Sequence, residues 1–181
     1  MPNWCNNDLI IQPVNDSPEA VKQFEEFLIT LEVCEESQTF LDYLRPPPSD
    51  LKDYSALHEW YMVNWGCKWD VLISVVKEVE PLVHVYFDSP NTPPVAFMTW
   101  LSEKCPLLFF ELHYYECGNG FIGLASAEAG DCIDDCRPMT EDDLKGILGD
   151  EYVADEYVDE EDADPVDDDF SLLIFGDEDG F

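Results

Sequence analysis

After Lys145 the chain runs to residue 181 without a single basic side chain. Residues 127–181 hold 22 acids against 2 bases, a net of −20, whereas residues 1–126 hold 19 acids against 6 bases, a net of −13. Self-repulsion at the higher density opposes collapse around a core, so the fold has to be built from the first part. We therefore place an N-terminal domain at 1–126 and an acidic C-terminal region at 127–181. Composition supports a real core, with 46% hydrophobic and 13% aromatic residues in a chain of 181. The formal net charge of −33 sets the protein against direct DNA or RNA binding and against anionic membranes, since both draw affinity from Lys and Arg placed on phosphates. No apolar run approaches the roughly 18 to 20 residues of a membrane span. The opening Met1-Pro2-Asn3-Trp4-Cys5 lacks the basic and apolar regions of a secretory signal, so a soluble, cytoplasmic protein is expected.

Hydrophobic spacing predicts the elements of the first part. Asp8-Leu9-Ile10-Ile11-Gln12-Pro13 is a strand closed by proline. Ser17-Pro18-Glu19 then caps a helix carrying Val21, Phe24, Phe27, Leu28 and Leu31 on one face. After the stiff Pro46-Pro47-Pro48, Ser49 or Asp50 caps a second helix presenting Leu51, Tyr54, Leu57, Tyr61 and Met62, which ends before Gly66. Strands follow at 69–76 and 82–87, then a helix from Pro93-Pro94 to Lys104, then a strand pair at 107–115 and 121–127 around Cys117-Gly118-Asn119-Gly120. The order is that of an α+β fold, a ferredoxin-like antiparallel sheet with helices on one face, an inserted helix and one extra strand, plus the acidic extension. A short helix is expected at 140–149.

Few motifs point to chemistry. Seven cysteines without a secretion signal read as reduced thiols, most of them small core residues. His113, Cys117, Cys132 and Cys136 supply four soft ligands, but neither cysteine pair has knuckle spacing, and the neighbouring Asp131, Asp134 and Asp135 read as a solvated loop. No metal or cofactor is assigned. Gly118-Asn119-Gly120-Phe121-Ile122-Gly123 fits a dinucleotide-binding pattern, but it leads into a strand, and Asn-Gly is a tight-turn pair. Trp4, Trp60, Trp65, Trp69 and Trp100 lack interleaved bases and read as core and helix-packing residues. No Ser or Cys stands in a nucleophile pattern with His58, His84 or His113, so no enzyme is expected.

Four blocks carry a resemblance. They are Met1-Pro2-Asn3-Trp4-Cys5-Asn6-Asn7, Asn64-Trp65-Gly66-Cys67-Lys68-Trp69-Asp70, Phe87-Asp88-Ser89 leading to Pro93-Pro94, and Tyr114-Tyr115-Glu116 leading to Gly120-Phe121-Ile122-Gly123. Together they resemble the YubB-like ferredoxin-like family encoded on plasmids and phages, over most of residues 1–126. The resemblance implies a mobile-element origin and a ferredoxin-like fold, and it brings no activity with it.

The acidic region is then argued on its own. A near-repeat places Asp150, Glu151, Asp155, Glu156, Asp159, Glu160, Glu161, Asp162, Asp164, Asp167, Asp168 and Asp169 in one block, ahead of an apolar run at 170–175 able to dock as a strand. Carboxylates held at that density imitate a phosphate backbone. B-DNA carries one charge per about 1.7 Å, so 33 charges match roughly 55 Å of duplex. Those twelve residues are the expected contact surface for the basic cleft of a host nucleic-acid-binding protein. The expected role is a phage- or plasmid-encoded, non-enzymatic inhibitor of a CRISPR effector or restriction enzyme. The alternative is an interaction module that binds through the ferredoxin-like sheet, with the acidic region accessory.

Overall fold

Strand β1 (Trp4–Pro13) alternates strictly, burying Cys5, Asn7, Leu9 and Ile11 and turning Trp4, Asn6, Asp8 and Ile10 to the opposite side. The computed structural model describes residues 3–77 and 81–148. Over these the order continues with α1 (Pro18–Ser37), α2 (Leu41–Leu44), α3 (Tyr54–Asn64), β2 (Ser74–Lys77) and β3 (Val83–Pro90). Then come α4 (Val95–Lys104), β4 (Leu108–Glu116), β5 (Phe121–Glu128), β6 (Asp131–Pro138) and α5 (Glu141–Leu148). The six strands form one sheet in the order β2-β3-β1-β4-β5-β6, with every neighbouring pair antiparallel. The helical connection from β1 to β2 passes over β3, and that from β3 to β4 passes over β1, so two β-α-β units interleave in an α+β fold.

Both main helices cover the same face. Ser17 Oγ accepts the Ala20 amide and Pro18 begins α1, whose buried stripe is Ala20, Phe24, Phe27, Leu31 and Cys34. Val21 and Leu28, expected in that stripe, lie on its half-buried flanks. From α4 come Phe97, Met98 and Leu101. They meet Val83, Val85 and Phe87 of β3, Leu108, Phe110 and Leu112 of β4, and Ala125 and Ala127 of β5. Phe27 meets Phe110 edge-on at 6.0 Å, and Phe40 lies 5.3 Å from Phe97 and 6.0 Å from Phe87. Burying each such ring or branched side chain contributes about 1.5 to 3 kcal/mol.

Three expectations need correction. The predicted boundary at residue 126 falls inside β5, and β6 extends the sheet to Pro138. Position 126 marks a change in charge and not the end of the sheet. β6 has no signature in the sequence because it is an edge strand with only Cys132 half-buried, so it has no apolar alternation to display, and its aspartates blunt the open edge. The strand expected at 69–76 shrinks to β2, because Asp70 turns inward: its Oδ1 accepts the Val71 amide and caps α2 through the amides of Phe40 and Leu41. The second predicted helix starts later, capped by Asp53 at Ala56, and no residue of it is buried, with Tyr54 largely in solvent.

Candidate functional site: the uncovered sheet face

No helix among the described residues covers the second face of the sheet, and the strand registers order its side chains into rows. One row runs Asp88, Asn6, Tyr115, Ile122, Arg137 across β3, β1, β4, β5 and β6. The next runs Ser74, Tyr86, Asp8, His113, Leu124, Asp135, and a third runs Val76, His84, Ile10, Glu111, Ser126, Ile133. Gln12, Phe109, Glu128 and Asp131 close the face. With strands about 4.8 Å apart, the face is about 24 Å wide.

Its electrostatics are one-sided. Asp8, Asp88, Glu111, Glu128, Asp131 and Asp135 carry carboxylates there, and Arg137 is its only arginine or lysine among the residues of those rows. That arginine is engaged: Nη1 and Nη2 donate to the two carboxylate oxygens of Asp143 at 2.7 and 2.8 Å. The fork, together with the Thr140 hydroxyl and amide, holds the Asp143 carboxyl well below the usual carboxylate range and raises Arg137 above its ordinary value. The histidines sit against carboxylates, His84 Nδ1 at 2.8 Å from Asp8 and His113 Nε2 at 2.7 Å from Glu111.

The face is also hollow and aromatic. A trough of about 740 Å³ is lined by Asn6, Asp8, Leu72, Tyr86, Asp88 and Tyr115, among others. A second hollow of about 410 Å³, between Trp4 and Trp69, shares Leu72 and Asp88 with it. The two indoles meet edge-on at 6.2 Å, yet both stand nearly half in solvent, as does Tyr86, while Leu72 is 64% exposed. Burial, with Cys117 and Asp88 nearby, raises the Tyr115 phenol, which stays a neutral ring.

The tryptophans therefore divide. Trp65 is buried, and Trp60 and Trp100 are half-buried around Arg45, whose guanidinium lies 6.0 and 5.0 Å from their rings. Trp4 and Trp69, expected in the core, are instead surface residues. The signal was present in the alternation of β1: the parity that buries Cys5 and Leu9 must expose Trp4 and Asp8. Asp88 and Tyr86 follow from the same rule applied to β3, whose Val83, Val85 and Phe87 are buried.

The four sequence blocks meet at one end of the sheet, where their polar groups hold backbone. Asn7 Nδ2 donates to the carbonyls of Cys5 and Phe87 and to Ser89 Oγ, and Ser89 donates to the Thr92 carbonyl. Thr92 donates to the Gly66 carbonyl, and the Phe97 amide to that of Trp65. Buried Glu116 accepts the Gly118 amide and the Asn119 amide, the latter at 2.6 Å. Its carboxylate already fills the amide cradle that the glycine pattern would offer a phosphate, and the segment is the turn between β4 and β5. The blocks brace the fold; the surface they frame is the trough.

No set of three or more His, Cys, Asp or Glu side chains is placed to hold a metal among the described residues. His113 lies on the uncovered face, Cys117 in the β4–β5 turn, and Cys132 and Cys136 on the other side of β6, about 13 Å apart along the strand. All seven thiols are free, and burial pushes Cys5 and Cys67 up to about 12 and Cys34 to about 11, so these three stay protonated near neutral pH. The twelve acidic residues expected as the contact surface, Asp150 to Asp169, lie outside the described residues. So does the apolar run at 170–175. No helix among the described residues is long and apolar enough to cross a membrane.

Neither a family model nor a curated protein matches the chain. Among solved structures, it is similar to the protein api92 of Yersinia pseudotuberculosis, described as a DUF1281 protein, with 13% identity, 77% of this chain and 99% of that one covered, and a TM-score of 0.46.

Proposed function

We propose that this is a non-enzymatic binding protein with a ferredoxin-like sheet, a phage- or plasmid-encoded inhibitor. In the host cytoplasm it occupies the basic, nucleic-acid-gripping cleft of a CRISPR effector or restriction enzyme. One observation carries the reading: the uncovered face displays six carboxylates, and its one arginine is neutralised by Asp143. The carboxylates stand on paired strands, so no backbone segment has to be ordered to present them, and their charge speeds encounter with a basic cleft. The acidic block at 150–169 adds charge of the same sign.

The test is affinity capture from a bacterial host lysate with the full chain and two variants. One replaces Asp88, Glu111, Glu128, Asp131 and Asp135 by Asn or Gln, and the other does the same for the acids of 150–169. The expected result is a nucleic-acid-binding protein held by the native chain, released by salt or competing DNA, and lost with the neutralised face, the tail, or both. Undiminished capture by both variants overturns mimicry.

A second reading has its own support in the exposed Trp4, Trp69, Leu72 and Tyr86. A partner docked on these apolar groups resists salt and is lost with Trp4→Ala while surviving the charge changes.

A further inference from the structure

We propose that the trough on the uncovered sheet face is a recognition site for an arginine-bearing segment of the partner, with a guanidinium seated at Asp88 between the indole and phenol walls. The inference rests on the binding-protein reading and specifies the chemistry of its partner. Its ground is the juxtaposition at one point: the two hollows meet at Asp88 and Leu72, with Trp4 and Trp69 on one side and Tyr86 and Tyr115 on the other.

Each component suits a guanidinium. Asp88 is exposed and has no ion-pair partner among the described residues, whereas Asp8 faces His84 and Asp70 spends one oxygen on the amides of residues 40, 41 and 71. Asp88 is thus the carboxylate ready to accept a fork of two N–H donors. Tyr86, stacked on His84 at 5.7 Å, and the edge-on pair Trp4 and Trp69 all keep solvent-exposed ring surface. Aromatic faces attract a cation through their quadrupoles, and a planar, weakly hydrated guanidinium stacks on them better than an ammonium. Leu72, shared by both hollows, offers apolar surface to the methylene stem. A stretch of single-stranded RNA would also stack on these rings, but its phosphates would lie over Asp8, Asp88 and Glu111 with no lysine or unengaged arginine in the rows to offset them.

The probes are a Gly-Arg repeat octapeptide, the matching Gly-Lys and Gly-Glu peptides, and polyuridine. Each is titrated into the full chain at low ionic strength, read by tryptophan fluorescence and amide chemical shifts. The expected result is shifts centred on Trp4, Trp69, Tyr86 and Asp88, with the arginine peptide bound on the order of threefold more tightly than the lysine peptide. Asp88→Asn should weaken the arginine peptide by up to about fivefold, while Glu25→Gln, the same charge change on the exposed side of α1 and away from the open face, leaves affinity nearly unchanged. Both substituted side chains are solvent-facing, and circular dichroism confirms folding. Equal losses from the two variants, equal binding of both cationic peptides, or polyuridine binding in the trough overturns the inference. So does the absence of arginine-peptide binding, and if salt-sensitive capture of the partner persists in that case, the binding-protein reading stands without it.

Discussion

The two faces of the sheet are made by alternate residues of the same strands, and they have opposite chemistry. On β4, Leu108, Phe110, Leu112 and Tyr114 go under the helices, while Phe109, Glu111, His113 and Tyr115 go to the open side. On β3 the division sets Val83, Val85 and Phe87 against His84, Tyr86 and Asp88. Singly exposed apolar residues are ordinary on a protein surface. The open face keeps large rings beside its carboxylates, and they cluster where the face is hollow. The covered face thus answers to packing, and the open face is the one on which we propose that a partner docks.

Substituting the adjacent pair Phe109 and Phe110 is the strongest way to break that comparison. Phe110 is fully buried against Phe27, so Phe110→Ala should cost about 3 to 5 kcal/mol in urea unfolding through lost burial and a residual cavity. Phe109 is only half-buried at the margin of the open face, and Phe109→Ala should cost about 1 kcal/mol. Equal losses would mean that the open side is packed as a second core and not presented to a partner.

Position 123 sharpens the comparison where helical cover runs out. Gly123 pairs with Tyr114, whose ring lies over it and whose hydroxyl donates to Asp134 at 2.6 Å. Burial, with Asp134 beside it, raises the Tyr114 phenol strongly, so the hydroxyl remains a donor. A methyl group on residue 123 would enter the ring, and because Tyr114 is only 2% exposed the ring has nowhere to go. Gly123→Ala should therefore cost about 1 to 3 kcal/mol by overpacking and weaken the bond to Asp134, seen as a shift of the Tyr114 hydroxyl and ring resonances. A neutral outcome would show that Tyr114 is not what shields this end of the covered face.

Much of this architecture was legible in the sequence, for reasons the residues make plain. Ser17-Pro18 announced α1, and Asn119-Gly120 between alternating runs announced the β4–β5 turn. Periodicity reports which residues share a side, but not what lies over that side. Alternation along β1 already sets Trp4 opposite Cys5 and Leu9, whereas the exposure of α3 depends on what lies over it and is not visible in the spacing. β6 has no signature because an acidic edge strand has no buried partner to impose alternation. Glu116 carried no signal at all: its burial depends on two amides that only the folded turn brings within reach. The candidate site was the least legible part: alternation along β3 puts Tyr86 and Asp88 on one side, but only the strand registers bring them into one trough with Asp8 of β1 and Tyr115 of β4.

The smallest expected effect concerns Arg137, the one arginine or lysine of the open-face rows. Because its fork holds the Asp143 carboxyl below the ordinary 3.8, Asp143 stays ionised as the solution is acidified through the usual carboxylate range. The sign follows from linkage: a carboxyl depressed in the folded state contributes stability that is complete above its unfolded value and is lost as pH falls through the lower, folded one. The β6–α5 junction should therefore persist in acid while other aspartates protonate. Arg137→Gln removes the fork but leaves the Thr140 amide and hydroxyl, which also donate to Asp143. In a carboxyl carbon titration followed by NMR, the Asp143 midpoint should rise on this substitution without reaching the ordinary value. The open face gains one net negative charge in the same step, so binding of a cationic peptide should strengthen slightly. An Asp143 midpoint unmoved by Arg137→Gln would mean that the arginine is not committed to Asp143, and would leave the face with a cation of its own to offer.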